Sequence, residues 1–254
     1  MKKFIIFIRQ HNDLDQILPI IDYLVDVKNC EVKIYSTSKK YLSSSFNVKY
    51  VEKYLKLKIS SFNNIYNNFE KLLSNFSYHL INVHNFKKNK FLHLIDMFLK
   101  NHFLFIVNFY LSFKISKFVK KNHDYIFLAD FGTEDIFPYD YLINSCKKNN
   151  VKLLAYNHGM TIFLNENPLH IKTTKFSKKT LNIFNKIFYA RYNKKRYYPK
   201  YTVGINQKIH FKSNMYGNFD KLNLIKEIGL PRFTYEWNKK FEDFFFELND
   251  LEKK

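Results

Sequence analysis

Three short apolar runs in this chain of 254 residues are each followed at once by residues that can do chemistry. Phe4-Ile8 leads into Arg9-Gln10-His11-Asn12-Asp13, Tyr125-Ala129 into Asp130-Phe131-Gly132-Thr133-Glu134-Asp135, and Val151-Tyr156 into Asn157-His158-Gly159. A carboxylate such as Asp130 at a strand end can act as general base toward a hydroxyl. The imidazole of His158, beside a glycine that lets backbone approach a ligand, can donate a hydrogen bond, take a proton or contact phosphate near neutral pH. His11, Asn12 and Asp13 stand where a strand turns into a helix, and helix N-terminal amides favour anions. Each group has a plainer reading beside this one: Asp13, Glu134 and Asp135 as helix caps, His158-Gly159 as a turn. The first loop is not glycine-rich, so it carries no dinucleotide-binding fingerprint.

For these residues to meet, the runs must be parallel strands of one sheet, because ligands bind outside the carboxyl ends of such strands. The pattern supports that. Phe4-Arg9 predicts a first strand, and the apolar spacing of Leu14, Ile17, Leu18, Ile21, Leu24 and Val25 predicts a helix from an Asp13 cap to about Val27. Glu31-Tyr35 alternates as a second strand and Val48-Val51 is the candidate third. From Ser60 to Lys121 there is neither Gly nor Pro, which predicts a helical insertion packed on the sheet, with turns near Asn63-Asn64 and Lys87-Asn89. Strand rhythm returns at Asp124-Ala129, followed by a helix around Tyr139-Lys148 and a strand at Val151-Tyr156. Beyond Gly159, a helix is expected over Ser177-Asn193 and a strand over Tyr201-Ile205. Gly229-Leu230-Pro231-Arg232 then leads to a helix over about 234–251 with Thr234 as its cap. The expectation is an α/β, Rossmann-like parallel sheet occupying residues 1–254 as one domain, with the insertion at about 60–121.

Composition narrows the class. A hydrophobic content of 46% is ample for a buried core, and a formal charge of +20, from 42 Lys+Arg against 22 Asp+Glu, attracts polyanions. Between His170 and Asn218 there is no acidic residue, while Lys194-Lys195-Arg196 and other basic residues are interleaved with Phe and Tyr. That mixture suits an anionic membrane surface or nucleic acid, or is a solvated basic face; no nucleic-acid motif accompanies it, so nucleic acid ranks second as a partner. Two distant cysteines, Cys30 and Cys146, without a metal-ligand pattern point to buried thiols in a reducing compartment, and no metal or cofactor is expected. Phe4-Ile8 is too short for a signal-peptide core. The longest apolar stretch, His102 to Val119, is broken by Lys114 and Lys117 and reads as a core or interfacial helix.

Residues 7 to 21 (Phe-Ile-Arg-Gln-His-Asn-Asp-Leu-Asp-Gln-Ile-Leu-Pro-Ile-Ile), the Asn157-His158-Gly159 turn and the segment from Gly229 to Trp237 together resemble the amino-terminal half of bacterial surface-polysaccharide proteins. These are similar to GT-B-type glycosyltransferases and to CDP-glycerol glycerophosphotransferase-like enzymes. The resemblance implies an acceptor-binding Rossmann-like domain of GT-B amino-terminal type, with inverting transfer from a nucleotide-activated donor to a glycan or lipid-linked acceptor. His158-Gly159 matches the family's His-Gly turn and His11 to Asp15 its first loop; taken with the strand-end position of Asp130, the expectation is His158 and Asp130 as catalytic groups, and His11, Asn12, Asp13, Asn157, Gly159 and Arg232 as substrate contacts. The expected location is cytoplasmic, free or peripheral at the inner face of the membrane, with Lys194, Lys195 and Arg196 of the acid-free basic stretch as the polyanion contact. In that family a second domain holds the donor, and this chain is expected to stop before it. The alternative class is a noncatalytic basic module binding RNA or an anionic membrane.

Overall fold

The structure, a computed structural model, describes residues 1–9, 11–37, 45–82, 90–130, 137–156, 202–205 and 225–252. Seven strands form one sheet: β1 (Lys3–Ile8), β2 (Glu31–Ser36), β3 (Ile59–Ser61), β4 (Ile126–Asp130), β5 (Leu153–Tyr156), β6 (Thr202–Ile205) and β7 (Ile225–Glu227). Their order is β3-β2-β1-β4-β5-β6-β7, and every neighbouring pair is parallel. The protein is therefore α/β and Rossmann-like. The chain first grows outward from β1 through β2 to β3, then crosses back to lay β4 on the other side of β1. That reversal puts the switch point, and the crevice it opens, between β1 and β4.

The strands bury both faces, as parallel strands must when helices cover the sheet on either side. Successive side chains alternate between two cores. Phe4, Ile6 and Ile8 of β1 and Leu128 of β4 pack with Leu14, Ile17, Leu18 and Ile21 of α1 (His11–Asp22) and with Trp237 and Phe244 of α6 (Tyr235–Glu252). Ile5, Phe7, Phe127 and Ala129 face the other way. They pack with Ile115 and Val119 of α4 (Lys90–Lys121) and with Leu142 and Cys146 of α5 (Tyr139–Lys148). The long α4 is thus the crossover that covers the second face of the sheet, and α3 (Asn68–Asn82) packs against it as an outer layer. Reciprocal bonds start α3: the Asn67 N–H donates to Glu70 Oε2 and the Glu70 N–H to Asn67 Oδ1, both at 2.8 Å.

Several expectations change in detail. Val48-Val51 is helical: α2 (Phe46–Lys49) continues into a π-helical turn over Tyr50–Tyr54. The Ser45 hydroxyl accepts the Val48 N–H at 3.3 Å, and Val48 and Val51, three residues apart, are both buried, as one helix face requires. The third strand lies later, at β3, so the helical region begins with the 3₁₀ turn Phe62–Ile65 rather than at Ser60. α1 begins at His11, two residues before the expected cap, and gives way to a π-helical turn at Tyr23–Val27. Thr234 does precede α6, but its hydroxyl donates to the Pro231 carbonyl at 3.1 Å. Gly229, at φ +69°, takes the left-handed conformation that turns the chain into the 3₁₀ segment Pro231–Phe233. The helix expected over Ser177-Asn193 and the turn at Lys87-Asn89 lie outside the described residues.

Candidate functional site at the carboxyl edge

All seven strands end on one edge, and register fixes who stands beside whom. Ile6 pairs with Leu128, which puts Ile8 level with Asp130, and Asp130 pairs with Tyr156. Ile8, Asp130 and Tyr156 therefore form a row across three adjacent strands, about 10 Å end to end at the usual strand spacing. Arg9 and the start of α1 leave from one end of this row, directly beside the switch point. The residue that follows Tyr156 in the chain is Asn157.

The first two turns of α1 are held from three sides. Asp13 is fully buried, and its Oδ2 accepts the Arg9 backbone N–H at 2.7 Å. An acid in the third helical position reaching back over the N-terminus does the work expected of a cap from inside the helix, which corrects the expectation that Asp13 precedes it. From β5, the buried Tyr156 hydroxyl donates to the Asp13 carbonyl at 3.5 Å. From the C-terminal segment, Arg232 Nη1 pairs with Asp15 Oδ2 at 2.7 Å while its guanidinium lies 4.6 Å from the Phe233 ring centre. Next to β1, the Thr37 N–H donates to the Ile8 carbonyl at 2.8 Å, and the Thr37 and Tyr139 hydroxyls are 3.0 Å apart. Thr37 and Tyr139 carry no sequence signature. They belong to this edge because β2 and α5 both terminate or begin on it.

The structure brings His11, Asn12, Asp13, Asp130 and Arg232 to the carboxyl edge, the first three as the opening of α1. Asn157, His158, Gly159, Glu134 and Asp135 lie outside the described residues, as do Lys194, Lys195 and Arg196. Two arginine Nε atoms, of Arg9 and Arg232, are buried with no hydrogen-bond partner among the described residues. Both arginines also touch the start of α1, Arg9 through its backbone N–H to Asp13 and Arg232 through Asp15 in the second turn. A helix N-terminus at a topological switch point is suited to an anionic oxygen such as that of a phosphate. Among the described residues no three His, Cys, Asp or Glu side chains are grouped so as to hold a metal ion.

Away from this edge, burial governs Cys146 and Tyr66. Burial pushes the Cys146 thiol up to about 12, so it is inert as a nucleophile, and no disulfide joins it to Cys30. Burial raises the Tyr66 hydroxyl above its ordinary range, with the charges of Glu70 and Asp140 adding to the effect. Comparison with protein families, with curated proteins and with solved structures finds no match. Fold and edge geometry therefore define a Rossmann-like α/β protein with polar groups gathered at the carboxyl edge of its sheet. No helix among the described residues is long and apolar enough to cross a membrane.

Proposed function

We propose that the protein is the acceptor-binding half of a glycosyl- or glycerophosphotransferase-like protein of cell-surface polysaccharide synthesis. The observation that carries the reading is the switch point itself, where Arg9, the start of α1 and Asp130 occupy adjacent strand ends of one sheet. In this reading Asp130 and His158 flank the acceptor hydroxyl, one of them removing its proton as the bond to the donor phosphate breaks. His11, Asn12, Asn157 and Gly159 line the crevice, Asp13, fully buried, holds the turn behind it instead of touching substrate, and Arg232 with the α1 amides offsets the departing negative charge. The donor is a nucleotide-activated sugar or polyol, the acceptor a glycan or lipid-linked chain, and the protein acts at the inner face of the membrane. The +20 charge favours a second reading, a noncatalytic basic module for RNA or anionic lipid.

Thermal unfolding in the presence of ligands separates these. A bound ligand at 100 times its Kd stabilises by about 2.7 kcal/mol, a readily measured shift. Acceptor oligosaccharides or glycerol-phosphate polymers should raise Tm, Asp130→Ala and His158→Ala should abolish the shift, and nucleotide sugars or CDP-glycerol should give little. A nucleotide-sugar shift that disappears in His158→Ala would mean that the crevice holds the donor. Stabilisation by RNA alone would establish the binding module.

A further inference from the structure

The α3–α4 pair turns toward solvent the kind of surface that helices normally bury. Phe69, Leu72 and Phe76 on α3, and Ile106, Phe109, Tyr110 and Phe113 on α4, are between 45% and 68% exposed. Their spacings of three, four and seven make one stripe on each helix. The opposite faces are already occupied: Glu70 and Ser74 of α3, and Val107, Leu111, Ile115 and Val119 of α4, are buried. Glu70 Oε1 lies 3.3 Å from Lys114 Nζ, and Leu73 packs against the cluster of Tyr66, Val107 and Leu111. The helices are therefore antiparallel, with Phe69 near the level of Phe113 and Phe76 near that of Ile106. The two stripes run side by side over about 10 Å, the rise of seven helical residues.

Charge selects the occupant. On α4 the series Ile106, Phe109, Phe113 continues at helical spacing into the exposed Lys117 and Lys120, and no acidic residue occurs between Asp96 and Asp124. Glu70 is buried against Lys114 and adds no negative charge to the surface. A second copy of a chain carrying +20 is repelled from such a face. An anionic bilayer is attracted: aromatic and aliphatic side chains enter the headgroup boundary while the lysines meet lipid phosphates. We infer that the α3–α4 face docks on an anionic membrane surface, with the helices lying in the interface. The inference rests on this exposed face and its charge, not on the transferase reading, so either can fail alone.

The test is flotation of the full chain with phosphatidylcholine vesicles containing about one-third phosphatidylglycerol, without any transferase ligand, and with folding of each variant checked by its melting transition. The wild type should float, more weakly at high salt. Ile106→Ser with Phe113→Ser should weaken partitioning by about tenfold or more. Lys117→Gln with Lys120→Gln should weaken it by about fivefold per lysine. Phe245→Ser with Phe246→Ser, exposed apolar positions on α6, should change nothing. Equal flotation of wild type and both α4 variants would overturn the assignment. So would loss only on replacing Lys194, Lys195 and Arg196, equal binding to pure phosphatidylcholine, or no flotation with self-association through the same residues.

Discussion

The two edges of the sheet both gather charged and hydroxyl groups, and they do so to opposite effect. At the amino edge Lys3 Nζ meets Asp124 Oδ2 at 2.7 Å, the Tyr125 hydroxyl donates to Glu31, and Lys33 Nζ reaches the Tyr125 oxygen at 2.5 Å and Glu31 at 3.3 Å. Lys3 and Lys33 each have an anion there, in water. Hydrogen bonding to Tyr125 holds the Glu31 carboxyl below its usual range, and that to Lys3 does the same for Asp124. At the carboxyl edge the carboxylate of Asp13 is taken by a backbone N–H, and Arg9 and Arg232 keep a buried Nε without a partner among the described residues. Strand direction makes the difference. In a parallel sheet the helices that follow strands begin at the carboxyl edge, and their amides and capping acids collect there with it.

The comparison breaks most visibly at Asp13. Asp13→Ala removes a fully buried acceptor and strands the Arg9 N–H, and should cost about 3 kcal/mol in urea unfolding. If the loss is no greater than for a surface residue, the carboxyl edge is not held together by that acid. Asp13→Asn should recover part of the loss, because its amide oxygen can still accept.

A finer comparison lies along α1 and α6, which are clamped at both ends. Near the carboxyl edge Arg232 pairs with the half-exposed Asp15; at the far end Lys240 Nζ bonds both oxygens of buried Asp22 at 2.8 and 3.0 Å and Asp26 at 2.6 Å, and Asp22 Oδ1 also accepts the Tyr50 hydroxyl at 2.6 Å. Lys240→Met should destabilise by about 2 kcal/mol, a buried-pair penalty discounted for the partial exposure of the ammonium. Arg232→Ala should cost less than about 1 kcal/mol. Burial pushes the Lys240 ammonium down, but its bonds to Asp22 and Asp26 outweigh that and leave it raised; burial first, then Asp22, raises the Tyr50 hydroxyl. Both groups keep their protons longer in the folded chain. Their contribution is complete below the unfolded values near 10 and is lost as pH rises through the folded ones. Stability should thus fall above about pH 10, and less steeply in Tyr50→Phe; an unchanged slope would remove Tyr50 from the clamp.

How much of this was legible in the sequence depended on the physical signal each element carries. Helical spacing announced α1, Tyr139–Lys148 coincided with α5, and the apolar runs at β1, β4 and β5 stood out because strands buried on both faces read as continuous hydrophobic stretches. The stretch Val48-Val51 misled for the same reason, since Val48, Tyr50 and Val51 around Lys49 fit a strand or a buried helix turn equally well until Ser45 is seen capping it. β3 and β7, three residues each, carry too little pattern to announce themselves. At the edge, Asp13 could be singled out by its place after a strand, and Arg232 by the Gly229–Trp237 segment that carries the family resemblance. Thr37 and Tyr139 could not, because only the parallel register and the start of α5 bring a β2-end threonine and a helix-start tyrosine together.

The smallest expected effect is the strictest check on the opening comparison. The amino-edge pairs are in water, where the Coulomb gain is small, salt screens it, and two long side chains must be immobilised to realise it. Lys3→Met and Glu31→Gln should therefore leave the urea midpoint unchanged within error at physiological salt, and the double variant should equal the sum of the singles. Depressed carboxyls lose their contribution as pH falls through the folded pKa, so any effect at all should appear above the ordinary carboxylate range and vanish in acid. A loss at neutral pH comparable with that of Asp13→Ala would show that the amino edge is held by its charges too, and strand direction would no longer distinguish the two ends of the sheet.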